Sequence, residues 1–250
     1  SIGPFKTATQ IKLKHNNNAI KKIARPVNEA KNKFIQWLKY NKAESIDEYD
    51  RTFEAYIEKA EEHDITILAL SDSRYPDLLK RIYDPPVLLY MRGKYDPALI
   101  VNSVGIVGTR KPTDYGKKMA EKFAEELSTA GIAVISGFAR GVDTIAHKAV
   151  LKNGNASAIT AAVFGCGVDM IYPPENKALY DEMCEKGLLI SEYEISAFPD
   201  AVNFPKRNRI ISGLSLGTIV IESDVDGGAL ITARTALDQS REVFAVPGYV

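Results

Sequence analysis

The sequence has little cysteine and no long hydrophobic segment. Its two cysteines, Cys166 and Cys184, occur in 250 residues, and neither lies in a Cys-x-x-Cys pair or a Cys/His cluster with metal-ligand spacing. This argues against a disulfide framework and a bound metal, and favours a reducing compartment. No run of about 18 apolar residues could span a bilayer, and no basic-then-apolar leader opens the chain. We therefore expect a cytoplasmic protein with no membrane partner.

Net charge of either sign is also missing. The chain carries 32 basic and 32 acidic residues, so overall charge favours neither nucleic acid nor an acidic ligand. With 45% hydrophobic residues over this length, it can form one large and one smaller domain, each with its own core. Because the chain starts at Ser1 without an initiator Met, we expect it to be part of a longer product.

Residues 1–65 predict a small helical domain. They contain no strand-like run, and Phe34, Trp37 and Leu38 can form a buried helical stripe. Ile2-Gly3-Pro4 is typical of the turn of a helical hairpin. The first forty residues are strongly basic, and the following twenty are acidic. The basic face is either a solvated helix surface or a surface that assists DNA binding, and the sequence leaves both interpretations open.

Residues 66–250 predict a Rossmann-like, doubly wound α/β fold with a mostly parallel sheet. Apolar runs alternate with amphipathic helical segments, which is typical of a parallel sheet covered on both faces. The strands are predicted at 103–107, 132–135, 158–164, 188–190, 217–221 and 243–246, and the helices at 119–130, 143–151, 176–186 and 229–239. Short strands are also predicted at 65–70 and 87–90. Such folds bind ligands beyond the carboxyl ends of their strands.

The loop after the first core strand is suited to an anion. Gly108 permits a sharp turn, and Arg110 can hydrogen-bond a phosphate in a forked geometry. The loop does not contain the Gly-x-Gly-x-x-Gly motif of dinucleotide-binding enzymes, and Ser136-Gly137 follows the next strand in place of an acidic residue. These two features argue against an NAD site.

The loop after the second strand has a similar composition. Ser136, Gly137 and Arg140 are suited to an anion-binding nest at the start of a helix. Asp143 stands at the expected helix N-cap, so we predict that it caps that helix. We expect His147, one turn further on the apolar side, to be a packed and hydrogen-bonded structural residue rather than a general base.

The run from Phe204 to Ser215 is the most informative segment. Lys206, Arg207 and Arg209 are three cations in four positions, and Pro205 predicts a helix start beside them. A glycine loop at 226–228 precedes the last long helix. Because these cations and turns are too dispersed for one small ligand, we predict a composite anion groove that binds nucleic acid.

Together these motifs resemble the DNA processing protein A (DprA, also called Smf) family. The resemblance extends over most of the chain from about residue 75. It is carried by Tyr75-Pro76, Asp84-Pro85-Pro86, Gly105-Ile106-Val107-Gly108-Thr109-Arg110, Ser136-Gly137, Arg140-Gly141-Val142-Asp143, Tyr172-Pro173, Phe204-Pro205-Lys206-Arg207-Asn208-Arg209, Leu230-Ile231-Thr232-Ala233 and Ala245-Val246-Pro247-Gly248.

The resemblance implies an extended Rossmann core, at 66–250, behind a sterile-alpha-motif-like or helix-hairpin-helix-like domain at 1–65. It implies binding of single-stranded DNA without cleavage or a cofactor, delivery of that DNA to the RecA recombinase in natural transformation, and a homodimer formed through the core. The DNA-binding residues it implies are Arg110, Gly137, Arg140, Lys206, Arg207, Asn208, Arg209 and Thr232. In this chain, Gly227-Gly228-Ala229 replaces the usual Ser-Gly-Ser/Ala and so lacks a hydroxyl. The winged-helix domain of many members is also missing.

A nucleotide sensor or a phosphoribohydrolase-like enzyme is the alternative. The core is similar to that of the Lonely Guy phosphoribohydrolases, which carry a Pro-Gly-Gly-x-Gly-Thr-x-x-x-Glu signature. Here the corresponding loop lacks the leading Pro, and Ala236 and Leu237 stand near the position of the catalytic Glu. Fold similarity alone does not establish an enzyme.

Overall fold

The structure, a computed structural model, describes residues 57–154, 158–225 and 227–248. The basic segment, the Phe34–Leu38 stripe and the proposed hairpin turn lie outside these residues, so the predicted domain at 1–65 stays a prediction. Residues 57–62 are helical and are followed directly by the first strand. None of the helices in the described ranges is long and apolar enough to cross a membrane.

Eight strands alternate with helices along the described chain. The strands are β1 (Ile65–Ala69), β2 (Leu88–Gly93), β3 (Ser103–Gly108), β4 (Ala133–Ser136), β5 (Thr160–Phe164), β6 (Leu188–Ser191), β7 (Gly217–Ile221) and β8 (Glu242–Ala245). The helices that follow β1 are α1 (Asp77–Lys80), α2 (Pro97–Ile100), α3 (Asp114–Thr129), α4 (Val142–Asn153), α5 (Lys177–Lys186), α6 (Asn203–Leu214) and α7 (Gly228–Asp238), with a 3-10 turn at Pro174–Asn176.

The strands form one sheet in the order β1-β2-β6-β5-β4-β3-β7-β8. The six strands from β3 to β8 pair in parallel, which confirms the predicted Rossmann-like architecture. β1 and β2 form an antiparallel pair that extends this sheet beside β6. The sequence did not predict this pairing, because an apolar run specifies a strand and leaves its neighbour and direction open.

The sheet is covered on both faces, as its apolar strands require. Neighbouring strand residues alternate between the two sides: Val107 and Ile135 pack with α6 and α7, whereas Ile106 and Val134 pack with α3 and α4. β5, β6 and β7 are buried along their whole length. Each fully buried Val, Leu or Ile side chain contributes about 1.5–3 kcal/mol to stability.

Two helix starts differ from their predicted positions. α3 begins at Asp114, five residues before the predicted start, because Thr113 caps it: Thr113 Oγ1 accepts a hydrogen bond from the Gly116 amide at 3.2 Å. α6 begins at Asn203, so Pro205 is its third residue instead of its first. A proline is tolerated there because amides of the first turn have no partner within the helix.

The chain reverses its winding direction at β3, which lies between β4 and β7. In doubly wound sheets, the ligand crevice opens at such a switch point. Here the loops at that edge are joined: the Thr109 amide donates to the Glu222 carbonyl at 2.8 Å, and the Val142 amide donates to the Thr109 carbonyl at 3.2 Å. A side chain at Gly108 would collide with Ile221 and Val142, so glycine is required for this close approach.

Candidate functional site

A cleft of about 700 Å³ opens at the switch point. Its walls come from the loops after β3 and β7, the segment before α6, and the first turns of α6 and α7. The lining residues used below are Arg110, Lys111, Tyr172, Phe204, Arg207, Asn208, Asp224, Ile231 and Thr232. The cleft therefore lies where the fold predicts a ligand site.

Arg207 forms the buried centre of the cleft. It is 4% exposed, and its Nη1 donates to the carbonyl oxygen of Gly137 at 2.7 Å and to that of Val163. Its Nε donates to Asn208 Oδ1 at 3.2 Å, and Asn208 Nδ2 donates to the Gly228 carbonyl at 3.3 Å. One guanidinium thus connects the ends of β4 and β5 with α6 and, through Asn208, with α7.

Asp143 is the buried anion near Arg207. Its Oδ2 accepts hydrogen bonds from the amides of Gly137 at 3.1 Å and Ala139 at 3.2 Å. The prediction that Asp143 caps its helix is wrong: Gly141, at φ 77°, is the N-cap of α4, and the Asp143 carboxylate bonds back to the preceding loop. Burial raises the pKa of Asp143, and the charge of Arg207 opposes that rise.

Positive charge converges on the cleft from side chains and helix ends. Arg110 and Lys111 are exposed on the β3 loop, and the proximity of Arg110 contributes to the lowering of the Arg207 pKa to about 10. Burial is the main cause of that lowering, and Arg207 remains protonated at neutral pH. The first turns of α6 and α7 also line the cleft, and helix N-termini attract anions. Asp224 is an exposed acid on the opposite wall.

The rim of the cleft carries exposed apolar side chains. Tyr172, 38% exposed, packs on Phe204 with ring centroids 5.4 Å apart, and the guanidinium of Arg207 lies 5.8 Å from the Phe204 ring. Phe198 is 78% exposed beside the lining residue Pro199, and Ile231 is exposed on α7. The site therefore combines a basic floor with an apolar, partly aromatic rim.

The cleft brings together four of the eight predicted DNA-binding residues. Arg110, Arg207, Asn208 and Thr232 line it, and Gly137, Arg140, Lys206 and Arg209 do not. Gly137 lies behind Arg207, to which it offers its carbonyl oxygen. Lys206 is exposed on the outer side of α6.

The other two cations have carboxylate partners. Arg140 pairs with Glu175 through Nε–Oε1 and through Nη2–Oε2 at 3.0 Å, and it lies beside Tyr172 at the rim. Arg209 pairs with Glu192 and Asp84 away from the cleft. The site therefore has fewer ligand-facing cations than the sequence run at 206–209 suggests.

The start of α3 is occupied by an acidic side chain of the protein. Glu222 accepts from the Thr113 amide at 2.8 Å and from the Thr113 hydroxyl, and its carboxylate lies against Gly116. This helix follows the first strand of the core, where dinucleotide-binding folds place a pyrophosphate. Glu222 takes that place, and Glu192 is paired with Arg209, so the two glutamates do not form a catalytic pair.

The family is decided by a comparison of the whole core. The sequence model of the DNA recombination-mediator protein A family matches residues 66–250. This chain belongs to that family. The match covers the described sheet from β1 onward together with the cleft.

Relatives in the DNA recombination-mediator protein A family agree with this assignment. Protein Smf of Synechocystis is 41% identical over 196 residues, which is 77% of this chain and 48% of that protein. This chain thus spans about half the length of that relative. The crystal structure of DprA from Streptococcus pneumoniae is 38% identical, with a TM-score of 0.70 over 81% of this chain and 70% of that one. DNA processing protein A from Helicobacter pylori, whose structure concerns its single-stranded DNA binding mode, is 32% identical, with a TM-score of 0.66 over 74% of this chain and 82% of that one.

Lys111 and Phe204 line the cleft in this member of the family, and the sequence reasoning did not select them. The spacing of Phe204, Arg207, Asn208 and Ile211 could have identified the ligand face of α6, because residues at i, i+3, i+4 and i+7 share one helix face. Lys111 directly follows Arg110 and carries no comparable pattern. The Gly227-Gly228 departure lies in the lining, so the missing hydroxyl falls inside the site.

Proposed function

We propose that this chain binds single-stranded DNA in the cleft and does not cleave it. The observation that carries the proposal is the combination of a cationic floor, formed by Arg110, Lys111 and Arg207, with an apolar rim that includes Tyr172 and Phe198. Phosphates favour the floor, and unpaired bases can stack on the rim. The Helicobacter pylori relative, described by its single-stranded DNA binding mode, supports the same ligand.

Duplex DNA satisfies this arrangement poorly. Paired bases are stacked on each other and have no free faces for the aromatic pair of Tyr172 and Phe204. Base–aromatic stacking contributes about 1–3 kcal/mol per base to single-strand binding, whatever the base. Preference for single strands therefore follows from the rim, and salt dependence follows from the floor.

Different residues serve the DNA in different ways under this proposal. Arg110 and Lys111 are exposed and can reach a phosphate directly. For Arg207, the hydrogen bonds within the described residues use Nη1 and Nε, so Nη2 is the donor that can face the ligand. Asn208 and Thr232 complete the wall between α6 and α7. We assign Lys206 to long-range electrostatic attraction, because it is exposed outside the cleft.

The Arg110→Ala variant tests the floor. Because this change removes one exposed phosphate-binding cation, oligo-dT affinity should fall by about tenfold at low salt, and the slope of log affinity against log salt should become shallower by about 0.7. Fluorescence anisotropy at several salt concentrations measures both quantities. Lys118→Ala on the exposed face of α3 is the matched control and should change neither. Equal affinities for Arg110→Ala and the unchanged chain would contradict the proposed site.

Arg140 reaches the DNA, we propose, by exchanging Glu175 for a phosphate. The Glu175→Gln variant frees the guanidinium and removes a negative charge from the rim, so oligo-dT should bind about twofold to fivefold more tightly at low salt. Asp181→Asn breaks a comparable exposed pair, with Lys177 on α5, and is the control. Weaker binding by Glu175→Gln would mean that the pair organises the rim instead of competing with the DNA.

The proposal includes the absence of catalysis. Asp143 holds a loop, His147 is buried, and Glu192 and Glu222 are paired elsewhere, so their described contacts support structural roles. A nucleotide-binding or phosphoribohydrolase function remains the competing candidate, since the cleft volume lies in the range of small-ligand sites. A nucleotide-hydrolysis assay run beside the DNA titration separates the two functions.

We also propose delivery of the bound strand to RecA in natural transformation, and a homodimer formed through the core. Both proposals rest on the family resemblance. The exposed edge strand β8, with Phe244 55% exposed, supports a protein contact at that edge. The free cysteines Cys166 and Cys184 suit a cytoplasmic location. Sedimentation equilibrium tests the dimer, and RecA filament formation on covered single strands tests the delivery.

A further inference from the structure

Arg209 belongs to the cation run at 206–209, yet its guanidinium is held by the protein. Its Nη1 and Nη2 donate to the two carboxylate oxygens of Glu192, each at 2.6 Å. Its Nε donates to the carbonyl oxygen of Asp84 at 3.1 Å and to its carboxylate at 3.3 Å. The side chains of Arg209 and Glu192 are both 18% exposed, so the pair is largely shielded from water.

The hydrogen-bonding capacity of Arg209 is nearly used up by these contacts. A guanidinium has five N–H donors. Glu192 takes two of them, Asp84 takes the one on Nε, and the Lys206 carbonyl accepts from Nη1 at 3.3 Å. A phosphate could therefore engage Arg209 fully only if it displaced a two-point carboxylate contact, which is among the stronger hydrogen-bonded pairs in proteins.

Arg209 also joins separate parts of the fold to the helix of the cleft. Glu192 directly follows β6, and Asp84 lies in the loop that precedes β2. The main-chain carbonyl of Arg209 accepts from Gln239 Nε2 at 3.0 Å, at the end of α7. Arg207 and Asn208, the neighbours of Arg209 on α6, face the cleft. The position and rotation of α6 about its axis therefore depend on contacts made by Arg209 on its other side.

We propose that Arg209 is a positioning residue for DNA binding and that it acts through Glu192. The pair holds α6 in the orientation that presents Arg207 and Asn208 to the ligand, and Arg209 itself makes no phosphate contact. This inference rests on the proposed single-stranded DNA function. It changes the role that the family resemblance implies for Arg209, and it adds Glu192 to the residues that determine DNA affinity.

The Glu192→Gln variant separates the two roles of Arg209 by the sign of its effect. If Arg209 contacts a phosphate, removal of its acidic partner frees it and lowers the negative charge near the DNA, so binding becomes tighter. If Arg209 positions α6, the same change loosens the helix and binding becomes weaker. We expect oligo-dT affinity to fall by about tenfold, the lower end of the effect that partners behind the direct ligands have at metal sites.

Salt dependence provides a readout that general damage to the fold does not imitate. Loss of a phosphate contact makes the slope of log affinity against log salt shallower by about 0.7, whereas loss of positioning lowers affinity with the slope unchanged. Arg209→Lys adds a second test, since lysine keeps the charge and loses the forked geometry. Positioning predicts that Arg209→Lys binds as weakly as Glu192→Gln, and a simple charge contact predicts binding close to that of the unchanged chain.

Glu182→Gln is the matched control, because it removes the acid of an exposed pair with Lys186 on α5. Circular dichroism establishes that each variant is folded at the assay temperature. If Glu192→Gln does not fold, Asp84→Asn replaces it, since that side chain is 74% exposed and still bonds Arg209 Nε. Weaker binding with an unchanged slope supports the proposal. Unchanged or tighter binding by the folded variant overturns it, and failure of the unchanged chain to bind oligo-dT counts against the proposed function instead.

Discussion

Urea unfolding of the Arg207→Met variant is expected to give a free energy of unfolding about 3 to 5 kcal/mol below that of the unchanged chain. Methionine has a similar volume but no donors, so it leaves the carbonyl oxygens of Gly137 and Val163 without their hydrogen bonds to Nη1. It also leaves the buried carboxylate of Asp143 without its nearby cation. Each of these groups is costly to bury alone. Oligo-dT binding should be lost with the cleft geometry.

Lys206→Met is the control for Arg207→Met. The two residues are neighbours on α6, but Lys206 is exposed, and its replacement should change stability by no more than about 0.5 kcal/mol. The double variant Asp143→Asn/Arg207→Met should recover part of the loss, because the uncompensated carboxylate is removed. If Arg207→Met is as stable as Lys206→Met, Arg207 does not hold the strand ends together.

The stability of the chain should also fall on mild acidification because of His147. This side chain is fully buried, its Nδ1 lies 2.6 Å from Thr160 Oγ1, and Thr160 Oγ1 donates to the Val134 carbonyl. The hydroxyl proton is thereby committed to Val134, so the neutral ring carries its proton on Nδ1. Burial, assisted by the charge of Arg207, lowers the pKa of His147 to about 3 from its ordinary value of 6.5. The structure thus confirms a packed, hydrogen-bonded histidine.

The sign of this effect follows from proton uptake. Between pH 6.5 and pH 3, the unfolded chain binds a proton at His147 and the folded chain does not. The free energy of unfolding therefore decreases as pH falls, by about 2 kcal/mol between pH 6.5 and pH 5. The raised pKa of Asp143 acts in the opposite direction at lower pH, so the comparison needs a variant.

His147→Gln provides that comparison, because glutamine does not titrate and can still bond Thr160. Its unfolding free energy, measured in urea at a series of pH values, should depend less on pH than that of the unchanged chain. The difference between the two chains should shrink by about 2 kcal/mol from pH 6.5 to pH 5. Parallel pH profiles would show that His147 is accessible to protons in the folded state.

The sequence predicts much of this fold because its signals are local. The continuous apolar runs that became β5 and β7 are readable as buried parallel strands, and the alternation with helices determines the layers. The antiparallel pairing of β1 and β2 beside β6 was not predictable in this way. It depends on contacts between distant segments, such as Tyr90 opposite Ser191, that no local pattern encodes.

The cation run at 206–209 shows why the site was only half predicted. Successive helical residues point about 100° apart. Lys206 therefore faces solvent, Arg207 faces the buried end of the cleft, and Arg209 faces Glu192. A charge run suggests three equivalent cations, whereas the helix gives them three different environments. The partners that decide the role of Arg209 are Asp84 and Glu192, which are 125 and 17 residues away.

The central claim is that a basic cleft with an apolar rim selects single strands. A salt-titrated comparison of oligo-dT with duplex DNA of the same length, measured by fluorescence anisotropy, tests it most directly. We expect tighter binding of oligo-dT at every salt concentration, with affinity falling as salt rises. Equal or tighter binding of the duplex, or oligo-dT binding that does not respond to salt, would contradict this account of the cleft.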